Sequence, residues 1–216
     1  MKTTDKICIT GFGPTKDAAP LDDPSWTFFG LPWDANWRRY DRLYEMHSQD
    51  VLQLSNSVVI TEEWDGGRIV TQAHRPQNYF AILKEIAGDK NKTLYMQDNY
   101  FGGVVPYPFD KVVKATRDYF ISSVTYMISH AISLEPKTLA VYGIDLSGND
   151  EWAYQRACVE YLLGLAEGRG IEVIVPDDSW LLKFQPERVR FGAILIEYHE
   201  RYGMLGPQPQ KFERWV

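Results

Sequence analysis

Short apolar and β-branched runs alternate along this chain with longer segments of helical period, and that alternation restricts the fold more than any other feature. The runs are Lys6-Ile7-Cys8-Ile9-Thr10, Ser25-Trp26-Thr27-Phe28-Phe29-Gly30-Leu31, Thr93-Leu94-Tyr95-Met96-Gln97, Leu139-Ala140-Val141-Tyr142-Gly143 and Ile171-Glu172-Val173-Ile174-Val175. Breakers rich in Gly, Pro and Asp bound most of them, as expected of buried strands. Residues 37–47, 76–87, 122–134 and 151–167 carry apolar side chains at helical spacing, and a further helix is expected over 187–202. Parallel neighbours need a long crossover, which a helix supplies, so the pattern predicts a mostly parallel, doubly wound sheet. The expected fold is α/β: a Rossmann-like three-layer sandwich with about five core strands, formed as a single domain over residues 1–216.

Within that frame, residues 37–47 are expected to be a helix with Tyr40, Leu43, Tyr44 and His47 on one face. The stretch 98–108 is expected to be a loop. Val58-Val59-Ile60-Thr61 and Arg68-Ile69-Val70-Thr71 flank Trp64-Asp65-Gly66-Gly67. Two β-branched runs around Asp-Gly predict a β-hairpin, inserted over about residues 56–74. The tail 203–216, with Pro207 and Pro209, is expected to be irregular.

With 216 residues, 44% of them hydrophobic and 24% charged, the chain can bury a full core without disulfides or metals. The net charge of −6 argues against a nucleic-acid backbone as partner, because phosphate neutralisation needs clustered Lys and Arg. Cys8 and Cys158 are the only cysteines, and no Cys/His cluster has zinc spacing, so no protein-held metal is expected. The first residues form no apolar signal segment and no run approaches membrane-spanning length, which makes a cytoplasmic location the expectation.

Gly11-Phe12-Gly13-Pro14-Thr15 follows the first strand directly. Glycines there permit a sharp turn and close approach of a ligand, with N–H groups turned toward an anion and the Thr15 hydroxyl as a further donor. Lys16 stands where a dinucleotide fingerprint has its third glycine, and no Gly-Lys-Ser/Thr follows. The loop is either a structural turn or a phosphate cradle, and its place after the N-terminal core strand favours the cradle. Ser122-Ser123-Val124-Thr125 opens a helix, where hydroxyls serve as a plain N-cap or, with the free N–H groups, as a second phosphate contact.

Asp145 ends a core strand, where carboxylates of α/β enzymes orient a substrate or hold a metal. Arg156 is a phosphate fork or one half of an i,i+4 pair with Glu160. His130 sits among Met127, Ala131 and Leu134 as a packed residue, whereas His47 is the candidate general base. Sheet topology would gather these groups beyond the carboxyl ends of the strands, around 11–15, 30–36, 97–100, 145–149 and 177–179.

The loop Gly11-Phe12-Gly13-Pro14-Thr15 resembles the opening Gly-x-Gly-Pro-Ser loop of bacterial sialyltransferases of the Campylobacter type, and also that of archaeal hydroxymethylpterin diphosphokinases. Ser122-Ser123-Val124-Thr125-Tyr126-Met127 through Gly143-Ile144-Asp145 is similar to the Thr-Ser-Gly-x-Tyr-Met…Gly-Ile-Asp segment of those sialyltransferases, with Val124 in place of the glycine. The resemblance implies a Rossmann-like fold with a nucleotide-sugar site, and makes Gly11, Phe12, Gly13, Pro14, Thr15, Ser122 and Ser123 nucleotide-binding candidates. The chain as a whole also resembles small tailed-bacteriophage proteins, in the segments 39–47 and 154–161, which would set it in a host cytoplasm.

The expected function is that of a nucleotide-dependent transferase of glycosyl or phosphoryl groups, with Asp145, His47 and Arg156 as catalytic candidates. The sequence specifies no cofactor; a nucleotide or nucleotide sugar is the expected ligand, with or without magnesium. The alternative is a nucleotide-binding or interaction protein without turnover, acting in phage–host conflict or virion assembly. The hairpin would then serve as a contact for a partner or a second copy of the chain.

Overall fold

A computed structural model describes residues 5–48, 52, 59–64, 67–72, 78–146 and 150–182, with the backbone alone for 59–64, 67–72 and 150–154. The chain divides into two compact units, Met1–Leu181 and Leu182–Val216. All that follows concerns the first. The helix expected over 187–202 and the tail 203–216 lie outside the described residues.

Strand β1 (Lys6–Thr10) alternates Ile7 and Ile9 into one apolar layer and Cys8 into the other, the two-residue period of a strand buried on both faces. The other strands are β2 (Thr27–Gly30), β3 (Arg42–Glu45), β4 (Val59–Trp64), β5 (Gly67–Gln72), β6 (Thr93–Met96), β7 (Val104–Pro106), β8 (Thr138–Tyr142) and β9 (Glu172–Ile174). Seven of them form one sheet in the order β7-β6-β3-β2-β1-β8-β9. Every pairing in it is parallel. β4 and β5 pair antiparallel as a separate two-stranded sheet, so the hairpin expectation holds, with strands reaching closer to the turn than the sequence suggested.

Four helices lie among the described residues: α1 (Tyr79–Gly88), α2 (Phe109–Ala115), α3 (Ser123–Ser133) and α4 (Asp150–Gly168). Val112 of α2, Met127, Ile128, Ala131 and Ile132 of α3, and Val159, Leu162, Leu163 and Ala166 of α4 pack in one layer with Ile7, Ile9, Leu139 and Val141. The opposite layer is built differently. Tyr79, Leu83 and Ile86 of α1 share it with Trp26, Trp37 and Tyr40, which come from the connections flanking β2. The β1–β2 and β2–β3 connections carry only short 3₁₀ turns, Pro14–Ala18 and Trp37–Arg39, and these aromatics supply the apolar surface that crossover helices would otherwise bring.

Seven strands stand against about five expected, and both extra strands correct the sequence reading. Residues 37–47 are not one helix: a 3₁₀ turn ends at Arg39 and β3 begins at Arg42. The i, i+3, i+4 spacing of Tyr40, Leu43 and Tyr44 imitates an amphipathic helix. In the sheet Leu43 enters one layer and Tyr44 the other, and both are fully buried. A short run buried on two faces has no polar side for periodicity to reveal. The loop expected over 98–108 contains β7, whose Pro106 is accommodated because β7 is an edge strand.

Chain order around the sheet locates the ligand edge. From β1 the strands proceed outward through β2, β3, β6 and β7, and the chain then returns to place β8 on the other side of β1. The carboxyl ends of β1 and β8 therefore flank the topological switch point, where open parallel sheets bind ligands.

Candidate functional site

The loops leaving β1 and β8 are bound to each other. Gly11 N–H donates to Tyr142 O at 2.8 Å and Gly13 N–H to Gly143 O at 2.7 Å. Asp145, 5% exposed, accepts from Thr15 twice: from the hydroxyl at 2.7 Å on Oδ1 and from the amide at 3.2 Å on Oδ2. The Thr15 hydroxyl in turn accepts from Gly143 N–H at 2.7 Å. Donors and acceptors are thus matched across the buried junction.

This junction, more than an anion, explains the glycines. A Cβ on Gly11 would stand 2.3 Å from the Gly143 carbonyl oxygen, and one on Gly13 would stand 2.2 Å from Asp145 Oδ2. Gly143 itself has φ +64, in the left-handed region that glycine enters without penalty. The expectation that the Gly11, Gly13 and Thr15 amides face a ligand is corrected accordingly, since all three already donate within the protein and Pro14 has no N–H to offer. Asp145 likewise is the clasp of the two loops, with both carboxylate oxygens engaged by Thr15.

Beside the junction opens a cleft of about 490 Å³. Phe12, Pro14, Leu31, Val124, Ile144 and Leu146 make its lining mostly apolar, and Gly11, Gly13, Gly143 and Asp145 complete it. No Lys or Arg lines it among the described residues. Leu146, which borders the cleft, has φ +47, an uncommon conformation for a residue with a Cβ that Glu135 and Leu182 also adopt elsewhere. Phe12 is half exposed and meets Trp33 edge to face, with centroids 5.0 Å apart. Lys16 lies 5.7 Å over the Phe12 ring and forms a 2.6 Å ion pair with the buried Asp34. Burial opposes ionisation of Asp34, but bonds from Lys16, the Asn36 amide and the Tyr40 hydroxyl outweigh it and hold the carboxyl below its ordinary range. A second cleft of about 330 Å³ shares Pro14 and Asp145 with the first and is bounded by Pro176, Asp178 and Trp180 beyond β9.

The helix tip expected at Ser122-Ser123 is present, with Ser122 as the N-cap of α3. The Thr125 hydroxyl accepts from Ser122 N–H at 3.2 Å and donates to Ser122 O at 2.7 Å, while the buried Ser122 hydroxyl makes no hydrogen bond among the described residues. From this first turn it is Val124, not Ser122 or Ser123, that lines the cleft. The sequence therefore brings the glycine loop, the α3 tip and Asp145 together, as expected, but with an apolar side chain foremost.

Arg156 is the ion-pair half of the two alternatives considered. Its Nε donates to Glu160 at 2.7 Å on α4, and it does not line the cleft.

His47 follows β3 and is not the end of a helix, and this placement gives it a partner that the sequence reading missed. Glu45, 3% exposed, accepts from His47 Nδ1, from His47 N–H at 3.1 Å and from the Tyr79 hydroxyl of α1. In extended chain, residues two apart lie on the same side, whereas a helical reading separates them. The Glu-x-His spacing was the available signal once β3 was recognised as a strand.

His130 packs as expected. It is ringed by Phe29, Tyr44, Tyr95 and Tyr107, and its Nδ1 hydrogen-bonds the Tyr44 hydroxyl at 2.8 Å. Burial, reinforced by the positive charges of Arg42 and Lys111, lowers its pKa to about 3, so it is a neutral core residue at physiological pH.

No group of three or more His, Cys, Asp or Glu suited to a metal ion exists among the described residues, nor is any helix there long and apolar enough to cross a membrane. Comparison with protein-family models, curated proteins and solved structures found no match to this chain. A parallel α/β fold of this topology is compatible with nucleotide binding but serves many chemistries, so function has to be argued from the site.

Proposed function

We propose that the chain binds a nucleotide or nucleotide sugar in the cleft between the β1 and β8 loops and acts as a nucleotide-dependent transferase of a glycosyl or phosphoryl group. The observation that carries this reading is a cleft of about 490 Å³ at the switch point of a wholly parallel sheet, with walls held by the Thr15–Asp145–Gly143 bonds. Its apolar wall suits the face of a base or sugar. With the Gly11, Gly13 and Thr15 amides engaged and no Lys or Arg in the lining among the described residues, the ligand's phosphates point outward from the cleft. The likeness of the 11–15 loop and of the 122–145 segment to nucleotide-sugar transferases supplies the reaction class.

A second reading is a nucleotide-binding protein without turnover. It is favoured by one observation: Asp145, the strand-end carboxylate, has both oxygens committed to Thr15. Incubation with a panel of nucleosides, nucleotides and nucleotide sugars, with and without magnesium, separates the two when melting temperature and product mass are both recorded. Stabilisation with consumed donor supports the transferase. Stabilisation with intact ligand supports the binder. No stabilisation by any of them removes both readings. Val124→Trp fills the cleft from a partly exposed position and abolishes the stabilisation. Gly13→Val would be a poor control, because its side chain would collide with Asp145.

A further inference from the structure

The Glu45–His47–Tyr79 cluster stands apart from the cleft and from the loop clasp. Glu45 ends β3 and is almost wholly buried, yet it faces a histidine whose side chain is 42% exposed. A buried carboxylate needs several partners to remain ionised, and here Tyr79, 1% exposed, and two N–H groups of His47 supply them. The intervening residue is fixed as well: Gln97, just beyond β6, donates its side-chain amide to Met46 O at 2.6 Å. Strand, neighbouring strand and covering helix thus converge to hold one imidazole. Its Nδ1 is turned inward to the carboxylate, and its Nε2 has no partner among the described residues. Order of this kind around a solvent-facing ring is more than packing requires.

We propose that Glu45, His47 and Tyr79 form a proton-transfer site, in which His47 Nε2 removes the proton from a hydroxyl group of a bound ligand. Glu45 and Tyr79 are positioning residues. Glu45 accepts from Nδ1–H, which fixes the ring in the tautomer whose Nε2 carries a lone pair. In the step, the hydroxyl O–H bond breaks, its electron pair stays on oxygen, and the proton forms Nε2–H. The resulting imidazolium remains paired with the Glu45 carboxylate. β3 lies two strands from β1, so the carboxyl ends of the two strands, which lead into His47 and the glycine loop, are on the same sheet edge and about 10 Å apart from the usual strand spacing. A ligand seated in the cleft can extend that far, and its acceptor alcohol would be the hydroxyl activated. The inference rests on the transferase reading for the identity of that alcohol, though not for the tautomer or the reactivity of the ring.

The test uses the ligand-free full chain, so it can fail while nucleotide binding succeeds, and the reverse. Long-range ¹H–¹⁵N NMR at a pH of about 8, above the ordinary imidazole range, reads the His47 tautomer, assigned by loss of the signal in His47→Gln. The expected result is Nδ1–H with a bare Nε2. Diethyl pyrocarbonate, which acylates the bare nitrogen, then modifies His47 several-fold faster in the native chain than in Glu45→Gln, with Tyr79→Phe intermediate and buried His130 unmodified in all three. Should Glu45→Gln fail to fold, the native tautomer and Tyr79→Phe still decide. An Nε2–H tautomer, or a His47 rate unaffected by either substitution, overturns the proposal.

Discussion

Replacing Thr15 by Val probes the loop junction with almost no change in shape. Only the hydroxyl becomes a methyl group, yet two partners are affected. Asp145 Oδ1 loses a 2.7 Å bond, Gly143 N–H loses its 2.7 Å acceptor, and a carboxylate that is 5% exposed keeps only the 3.2 Å bond from the Thr15 amide. A hydrogen bond to a charged group contributes about 1.5–3 kcal/mol and a buried donor left unmatched costs about 1–3 kcal/mol. These overlap, because the loops relax, so a loss of about 2–4 kcal/mol is expected, a large share of the roughly 5–15 kcal/mol that holds a domain folded. Thr15→Ser keeps the hydroxyl and loses one methyl, for about 1 kcal/mol. Urea unfolding gives the totals, and native-state amide exchange gives the location. Gly143 N–H loses protection in the Val variant and keeps it in the Ser variant. A Val variant within about 0.5 kcal/mol of the native chain, the range of neutral surface changes, with Gly143 still protected, would refute the clasp.

Gly11→Ala places a Cβ 2.3 Å from a backbone oxygen, and is expected to cost about 1–3 kcal/mol in urea unfolding, the usual range for overpacking. Lys16→Met leaves buried Asp34 without its cation and is expected to destabilise by about 2–3 kcal/mol, below the full value for a buried pair because Lys16 is partly exposed. Asp34, held below its unfolded pKa, contributes stability above about pH 4 that fades as pH falls through the folded value, and Asp34→Asn removes that part of the acid dependence. His130 acts in a higher window. It stays neutral in the fold down to about pH 3, whereas an unfolded histidine takes up a proton below about pH 6.5. Stability should therefore fall by about 2 kcal/mol between pH 7.5 and 5 on this account alone, and His130→Gln should flatten that slope in urea titrations at each pH.

The sheet was legible where one apolar run lies between breakers, as at β1, β6 and β8, because burial on both faces demands such runs and Gly or Asp ends them. β3 was not, since Tyr40, Leu43 and Tyr44 fit a helical period by coincidence and only the neighbouring strands β2 and β6 decide otherwise. β7 is three residues long and ends in Pro106, too little for any local pattern. Asp145 could be marked as a strand-end carboxylate, but its partner Thr15 lies 130 residues earlier, and no local spacing announces that bond. The glycines were legible as a close approach. The approaching group proved to be the β8 loop, because a close backbone neighbour and a phosphate make the same demand for a missing Cβ. Glu45 was missed for the same reason as β3, because assigning the wrong period moves His47 away from it.

The most direct test follows the methyl groups of the cleft by NMR as nucleosides, nucleotides and nucleotide sugars are added. Leu31, Val124, Ile144 and Leu146 line the proposed site, while Leu83, Ile86 and Val112 are buried elsewhere in the same unit. The first four should shift in a saturable way with at least one of these ligands, and the last three should stay in place. Silence of all seven across the whole panel, or shifts confined to the distant three, would contradict a nucleotide site at the β1–β8 crossover.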